Sequence, residues 1–158
     1  MGSPGDVGLL SAGTGAVTAT PARGALWRCP RCGRAFRRVG QTHSCKTVSL
    51  EEHFPHNAAS RSLFVHLVTE LNSRVGSCEV ISLPCCIHLF GTYDFLAVLP
   101  RKERLEIRFT LRHELESPRV KHCTQISRSS YKHSVDVEAD EDIDDELLDW
   151  LNDAYHLG

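Results

Sequence analysis

The sequence predicts an α+β protein: an antiparallel sheet of about five to six strands with two flanking helices, preceded by a small zinc knuckle. Three observations carry this. Cysteine and histidine crowd into "CPRCGRAFRRVGQTHSC" (29–45), apolar residues recur at helical spacing in two segments, and the stretch between those segments switches to a period of two.

Residues 1–24 are mostly Gly, Ala, Ser, Thr and Pro, too poor in large apolar groups to offset ordering entropy, and are expected to form a disordered tail. Residues 25–47 form the knuckle, with "LWRC" and "RAFRR" as short strands around a "CPRCG" turn. Its apolar core is at most Trp27, Phe36 and Val39, so a metal must supply most of its stability. Residues 48–158 form the α+β domain. Ser49 followed by Glu52 is a capping-box pattern for a short helical turn. In "AASRSLFVHLVTELNSRVG", Leu63, Phe64, Leu67, Val68, Leu71 and Val75 make one helical stripe, and Gly76 supplies the stop.

Strands are expected over 78–84, 86–90, 94–100, 104–111, 120–127 and 132–138, with turns at Gly91, Pro100 and Pro118. Leu105, Ile107, Phe109 and Leu111 alternate with Arg104, Glu106, Arg108 and Arg112, which buries one sheet face and leaves the other charged. In "DEDIDDELLDWLNDAY", Ile143, Leu147, Trp150, Leu151 and Ala154 lie on one helical stripe, with carboxylates in the first turn. The expected arrangement is helix, antiparallel meander, helix, with both helices on one sheet face.

A chain of 158 residues, 41% of them hydrophobic, supports one main domain with a small appendage rather than a two-domain enzyme. No apolar run approaches the roughly 20 residues of a membrane span, and no secretory signal opens the chain. A cytoplasmic protein without membrane association is expected, its seven cysteines reduced. The net charge of -2 conceals a segregation: Arg23 to Lys46 contains basic but no acidic residues, and Glu138 to Asp153 the reverse.

Cys29, Cys32, His43 and Cys45 read C-x2-C-x10-H-x-C. A C-x2-C turn places two thiolates on one ion, and the intervening ten residues allow a return that brings the other two ligands round. His43 and Cys45 are separated by one residue, so His53 or His56 remains open as a substitute ligand. Four ligands make the zinc structural. Arg31, Arg34, Arg37 and Arg38, interleaved with Trp27 and Phe36, offer a surface for nucleic acid or a protein partner, although arginines also balance three thiolates on one ion. A protein-docking or small-ligand-binding domain with a purely structural zinc is the alternative.

The stretch "WRCPRCGRAFRRVGQTHSC" resembles the opening of an uncharacterised bacterial family, the domain of unknown function 5655. "LEEHF", "FLAVLPRKERLEIRFTL", "SPRV" and "HSVDVEADEDIDDELLDWLNDAY" resemble its later segments in order, over about residues 26–157. The resemblance implies a small α+β domain without an established activity. Where such sequences often carry a polar Lys or Thr before an I-x-F strand, this one has Pro84, Cys85 and Cys86.

Adjacent strand residues face opposite ways, so Cys85 and Cys86 are expected as one surface and one buried thiol rather than a redox pair. Cys86 and His88 share a face, and a second metal site is open if the strand order brings His122 or Cys123 to meet them across the sheet. His113, Glu114, His122 and His133 have no nucleophile elbow, phosphate loop or paired-histidine helix beside them, so an enzyme is not expected. Arg101, Lys102, Arg104, Arg108, Arg112 and Arg119 read as solvated positions interleaved with Glu103 and Glu106 rather than as a basic strip.

Overall fold

The computed structural model describes residues 26–157, which divide into two compact units between Cys45 and Lys46. The expected tail over residues 1–24 lies outside the described residues.

In the first unit, strands β1 (Trp27–Arg28) and β2 (Ala35–Phe36) pair antiparallel with Trp27 opposite Phe36. The Cys29 amide donates to Arg34 O (2.9 Å) and the Gly33 amide to Cys29 O (2.8 Å), closing the turn between them. Gly33 takes φ +76°, a left-handed conformation that a side chain would strain.

The second unit begins with a 3-10 turn, Leu50–His53, closed by the Ser49 and Glu52 capping box. Helix α1 (Ala58–Arg74) buries Ser60, Leu63, Phe64, Leu67 and Leu71. The buried Ser60 hydroxyl donates to Arg101 O at 2.5 Å, which ties the start of the helix to the β-turn ahead of Arg104. Six strands follow: β3 (Glu79–Ser82), β4 (Ile87–Phe90), β5 (Asp94–Pro100), β6 (Leu105–Leu111), β7 (Val120–Ser127) and β8 (Ser130–Val137). Helix α2 (Asp145–Tyr155) closes the chain, its Asp144 side chain capping the Leu147 amide.

All neighbouring strands are antiparallel, in the order β3-β4-β5-β6-β8-β7. The expected meander therefore holds from β3 to β6 and then fails, because β8 inserts between β6 and β7. Side-chain chemistry accounts for the swap. β8 carries His133, Val135 and Val137, all fully buried, whereas β7 exposes most of its length and suits a sheet edge. Leu105, Ile107, Phe109 and Leu111 of β6 form one buried row and join Leu63, Phe64, Leu67 and Leu71 of α1 and Leu147, Leu148, Leu151 and Ala154 of α2 in a single apolar cluster. This is the two-helix, one-sheet arrangement that the hydrophobic periods require. No described helix is long and apolar enough to cross a membrane.

Tyr155 fastens the end of α2. Its hydroxyl donates to Ser77 O (2.8 Å), and its ring meets Phe95 edge-on at 5.0 Å. A Cβ added at Gly91 would lie 2.4 Å from that ring. Gly91→Ala should lower stability by about 1–3 kcal/mol in denaturant unfolding, the cost of overpacking a fixed aromatic.

His133 gives a second expectation. Its buried ring accepts the Leu115 amide at Nε2 (3.0 Å), so the proton sits on Nδ1. Burial, assisted by neighbouring His113, pushes its pKa below 6.5 against the opposing pull of Glu114. With the folded pKa below the unfolded one, the unfolded chain binds the proton first. Stability is full above about pH 6.5 and falls as the pH drops through that value. His133→Gln should flatten the difference in melting temperature between pH 7 and pH 5 relative to wild type.

Candidate metal centre

Cys29 opens the β1–β2 turn and Cys32 lies within it, and His43 and Cys45 return from the segment after β2. The Cys29 and Cys45 sulfurs are 3.7 Å apart, and His43 Nε2 lies 3.4 Å from the sulfurs of both Cys32 and Cys45. All four ligand atoms fall within 4.8 Å of one another. A tetrahedral ion with bonds of about 2.3 Å to sulfur and about 2.0 Å to nitrogen has edges of about 3.8 Å between sulfurs and about 3.5 Å between sulfur and nitrogen. The cluster already has that size, so the residues present fit a metal ion. Among the described residues no other histidine joins it; His53 and His56 belong to the second unit.

The surroundings orient the ligands. His43 Nδ1 lies 2.6 Å from Gln41 O, which fixes the ring proton there and turns the Nε2 lone pair to the sulfurs. The ring is stacked on Phe36 at 4.2 Å and meets Trp27 edge-on. The Arg31 amide points at the Cys29 sulfur (3.4 Å). Burial opposes ionisation of Cys32, yet hydrogen bonds from the backbone and side chain of Arg34, from His43 and from Cys29 draw its thiol down to about 6. Cys45 is pushed up by burial and by Cys29 and Cys32. Three thiols this close ionise unevenly because each thiolate repels the next, and a cation at their centre removes that conflict.

Arg34 differs from its expected place on a contact surface. It is 5% exposed, its guanidinium donates to Ser44 O and lies 5.4 Å over the Phe36 ring, and it is committed inside the knuckle. Arg31, Arg37 and Arg38 are exposed, as is Arg28, whose guanidinium donates to Gly33 O at 2.8 Å. Phe36 is buried and Trp27 half-buried, so the aromatic faces serve the knuckle itself.

On the sheet and its flanks several arginines are paired with carboxylates, whereas Arg112 is exposed and donates to Leu157 O. Arg101 and Arg108 both bind Glu106, at 2.6 and 2.7 Å, and against the cost of burial they hold its carboxyl down to about 2. Arg104 pairs with Asp136, and Arg119 with Asp144 and Glu146. Arg74 pairs with Asp145 and His66 meets Asp140, so several acidic residues of the last segment are engaged within their own unit. His122 and Cys123 lie on β7, and β5, β6 and β8 separate them from Cys86 and His88 on the β4 side. That pairing across the sheet does not form. A second cluster does exist, however: Cys85, Cys86 and His88.

Residues 92–158 match the family model described as Domain of unknown function (DUF5655). The DUF5655 segment takes in β5 to β8 and α2, so the resemblance read from the sequence is shown over this part. The knuckle and α1 precede the DUF5655 match. No curated protein and no solved structure matches the chain.

The buried arginine supplies a test of the knuckle. Arg34→Ala removes the guanidinium beside Cys32 and should weaken metal binding there about 10–100-fold in chelator competition, as removal of an outer-shell partner does. Arg38→Ala, at an exposed position, should leave that affinity unchanged.

Proposed function

We propose that this chain is a non-catalytic, zinc-stabilised binding protein whose knuckle contacts nucleic acid through its exposed arginines. The near-tetrahedral set of Cys29, Cys32, His43 and Cys45 carries the reading. Three sulfurs and one imidazole suit zinc, and four protein ligands leave no position for water, which makes the ion structural.

Three thiolates on one divalent ion leave a single negative charge. Arg34, buried against Cys32 and Ser44, balances it. Arg31, Arg37 and Arg38 are therefore not required for that balance, and their exposure supports an outward role. Because Trp27 and Phe36 are spent on packing His43, contact runs through phosphates rather than base stacking. Binding of this kind is insensitive to sequence and steep in salt.

The test is titration of zinc-loaded protein with fluorescent single-stranded and duplex oligonucleotides at two salt concentrations. Affinity should fall steeply as salt rises. Replacing both Arg37 and Arg38 by Ala should lower the salt slope by about two, one for each phosphate no longer neutralised. Cys32→Ser should remove binding together with the knuckle's ion. Absence of binding at low salt would overturn the nucleic-acid reading and leave a knuckle that docks on protein.

A further inference from the structure

The turn between β3 and β4 brings two thiols and an imidazole together. Cys85 and Cys86 sulfurs are 2.9 Å apart, Cys86 Sγ lies 3.2 Å from His88 Nε2, and His88 Nδ1 lies 2.6 Å from Asp94 Oδ2. We propose that Cys85, Cys86 and His88 form a second metal site, separate from the knuckle. It would take a thiophilic divalent ion such as zinc through three protein ligands and leave the fourth position to a small exogenous ligand.

The local chain explains the convergence. Cys85 and Cys86 precede β4 in a turn closed by the Leu83 amide on Cys86 O (2.9 Å), so the strand rule of opposite faces does not apply to them. His88 follows two residues after Cys86, on the same side of β4. A register shift between Leu89 and Phe90 places Asp94, at the start of β5, within reach of the ring. The carboxylate fixes the proton on Nδ1 and turns Nε2 toward the sulfurs, the arrangement by which proteins orient metal-binding histidines.

The knuckle has four ligands and is closed, whereas this cluster has three. Cys86, His88 and Asp94 line a cavity of about 340 Å³ together with Arg108 and Lys132. Ala97 lies between His88 and Arg108 across the sheet, and its small side chain keeps that space open. An ion held by the three ligands thus presents its free position to a cavity lined by Lys132 and by Arg108, the latter already paired with Glu106, which suits water or a small anion. The sulfur pair is tighter than the ~3.8 Å edge of a tetrahedral centre. Cys85 is exposed, so its side chain can swing outward to meet the ion.

Metal counting on full-length protein tests this, after zinc loading under reducing conditions and removal of excess ion. Wild type should retain two zinc ions per chain, with Cys86→Ser and His88→Gln each retaining one. Cys32→Ser should also retain one, so that failure of the knuckle reading and failure of this one are told apart. Zinc content unchanged in both sheet variants, with native melting curves, would overturn the second site. So would a Cys85 to Cys86 disulfide that survives the reducing conditions, seen as two missing thiols after denaturation and chelation. In cobalt-substituted protein, thiocyanate should shift the visible bands of wild type and leave those of Cys86→Ser unmoved, because only the second site has a free position. Bands unmoved in wild type would sink the open position. Asp94 is a positioning residue: Asp94→Asn should weaken cobalt binding about 10–100-fold at this site with an unchanged melting temperature.

Discussion

The knuckle depends on four side chains meeting at one point. Between Leu26 and Cys45 only Trp27, Ala35, Phe36 and the ring of His43 are available for packing, and β1 and β2 are two residues each. Such a segment cannot bury enough apolar surface to hold itself together. The convergence of Cys29, Cys32, His43 and Cys45 supplies what packing does not, and the rest of the unit serves it. Gly33 permits the tight turn, Gln41 and Phe36 hold the imidazole, and Arg34 is drawn inward beside the thiols.

The second unit rests on a different constraint. The alternation of β6 separates an apolar row, covered by α1 and α2, from a charged row on the opposite face. On that charged face Glu106 joins Arg101, Arg108 and Ser134 in one network, so the arginines are held in place rather than presented as a uniform positive surface. The knuckle carries its own exposed arginines, Arg28, Arg31, Arg37 and Arg38. The sheet contributes a recess at the β3–β4 turn, where thiols, imidazole and carboxylate meet. The described residues thus hold two Cys/His groups that could take a metal ion, one of four side chains and one of three.

Much of this was legible in the residues, and the exceptions have physical causes. Both helices and all six sheet strands follow from hydrophobic period, and the Ser49 cap from its pattern, because each is a local signal. The order of β7 and β8 was not, since period-two alternation says that a strand exists and not which neighbour it takes. The contrast between polar β7 and the buried His133, Val135 and Val137 of β8 was the available clue. Spacing brought the four knuckle residues forward but left His53 and His56 open, because only the return after β2 decides which imidazole reaches the sulfurs. Arg34 looked like its exposed neighbours, as nothing in a run of arginines marks the one that folds over Phe36. Cys85 and Cys86 are one exposed and one buried thiol, as read, but they occupy a turn rather than a strand, which lets their sulfurs meet, and the part of Asp94 depends on a register shift that no pattern announces.

Both the stability of the knuckle and its proposed binding role require that Cys29, Cys32, His43 and Cys45 together ligate one zinc ion. X-ray absorption at the zinc edge, on the Cys86→Ser protein so that only the knuckle is loaded, reads that coordination shell itself. Three sulfurs at about 2.3 Å and one nitrogen at about 2.0–2.1 Å are expected. A shell dominated by oxygen and nitrogen, or a protein that retains no zinc, would contradict it.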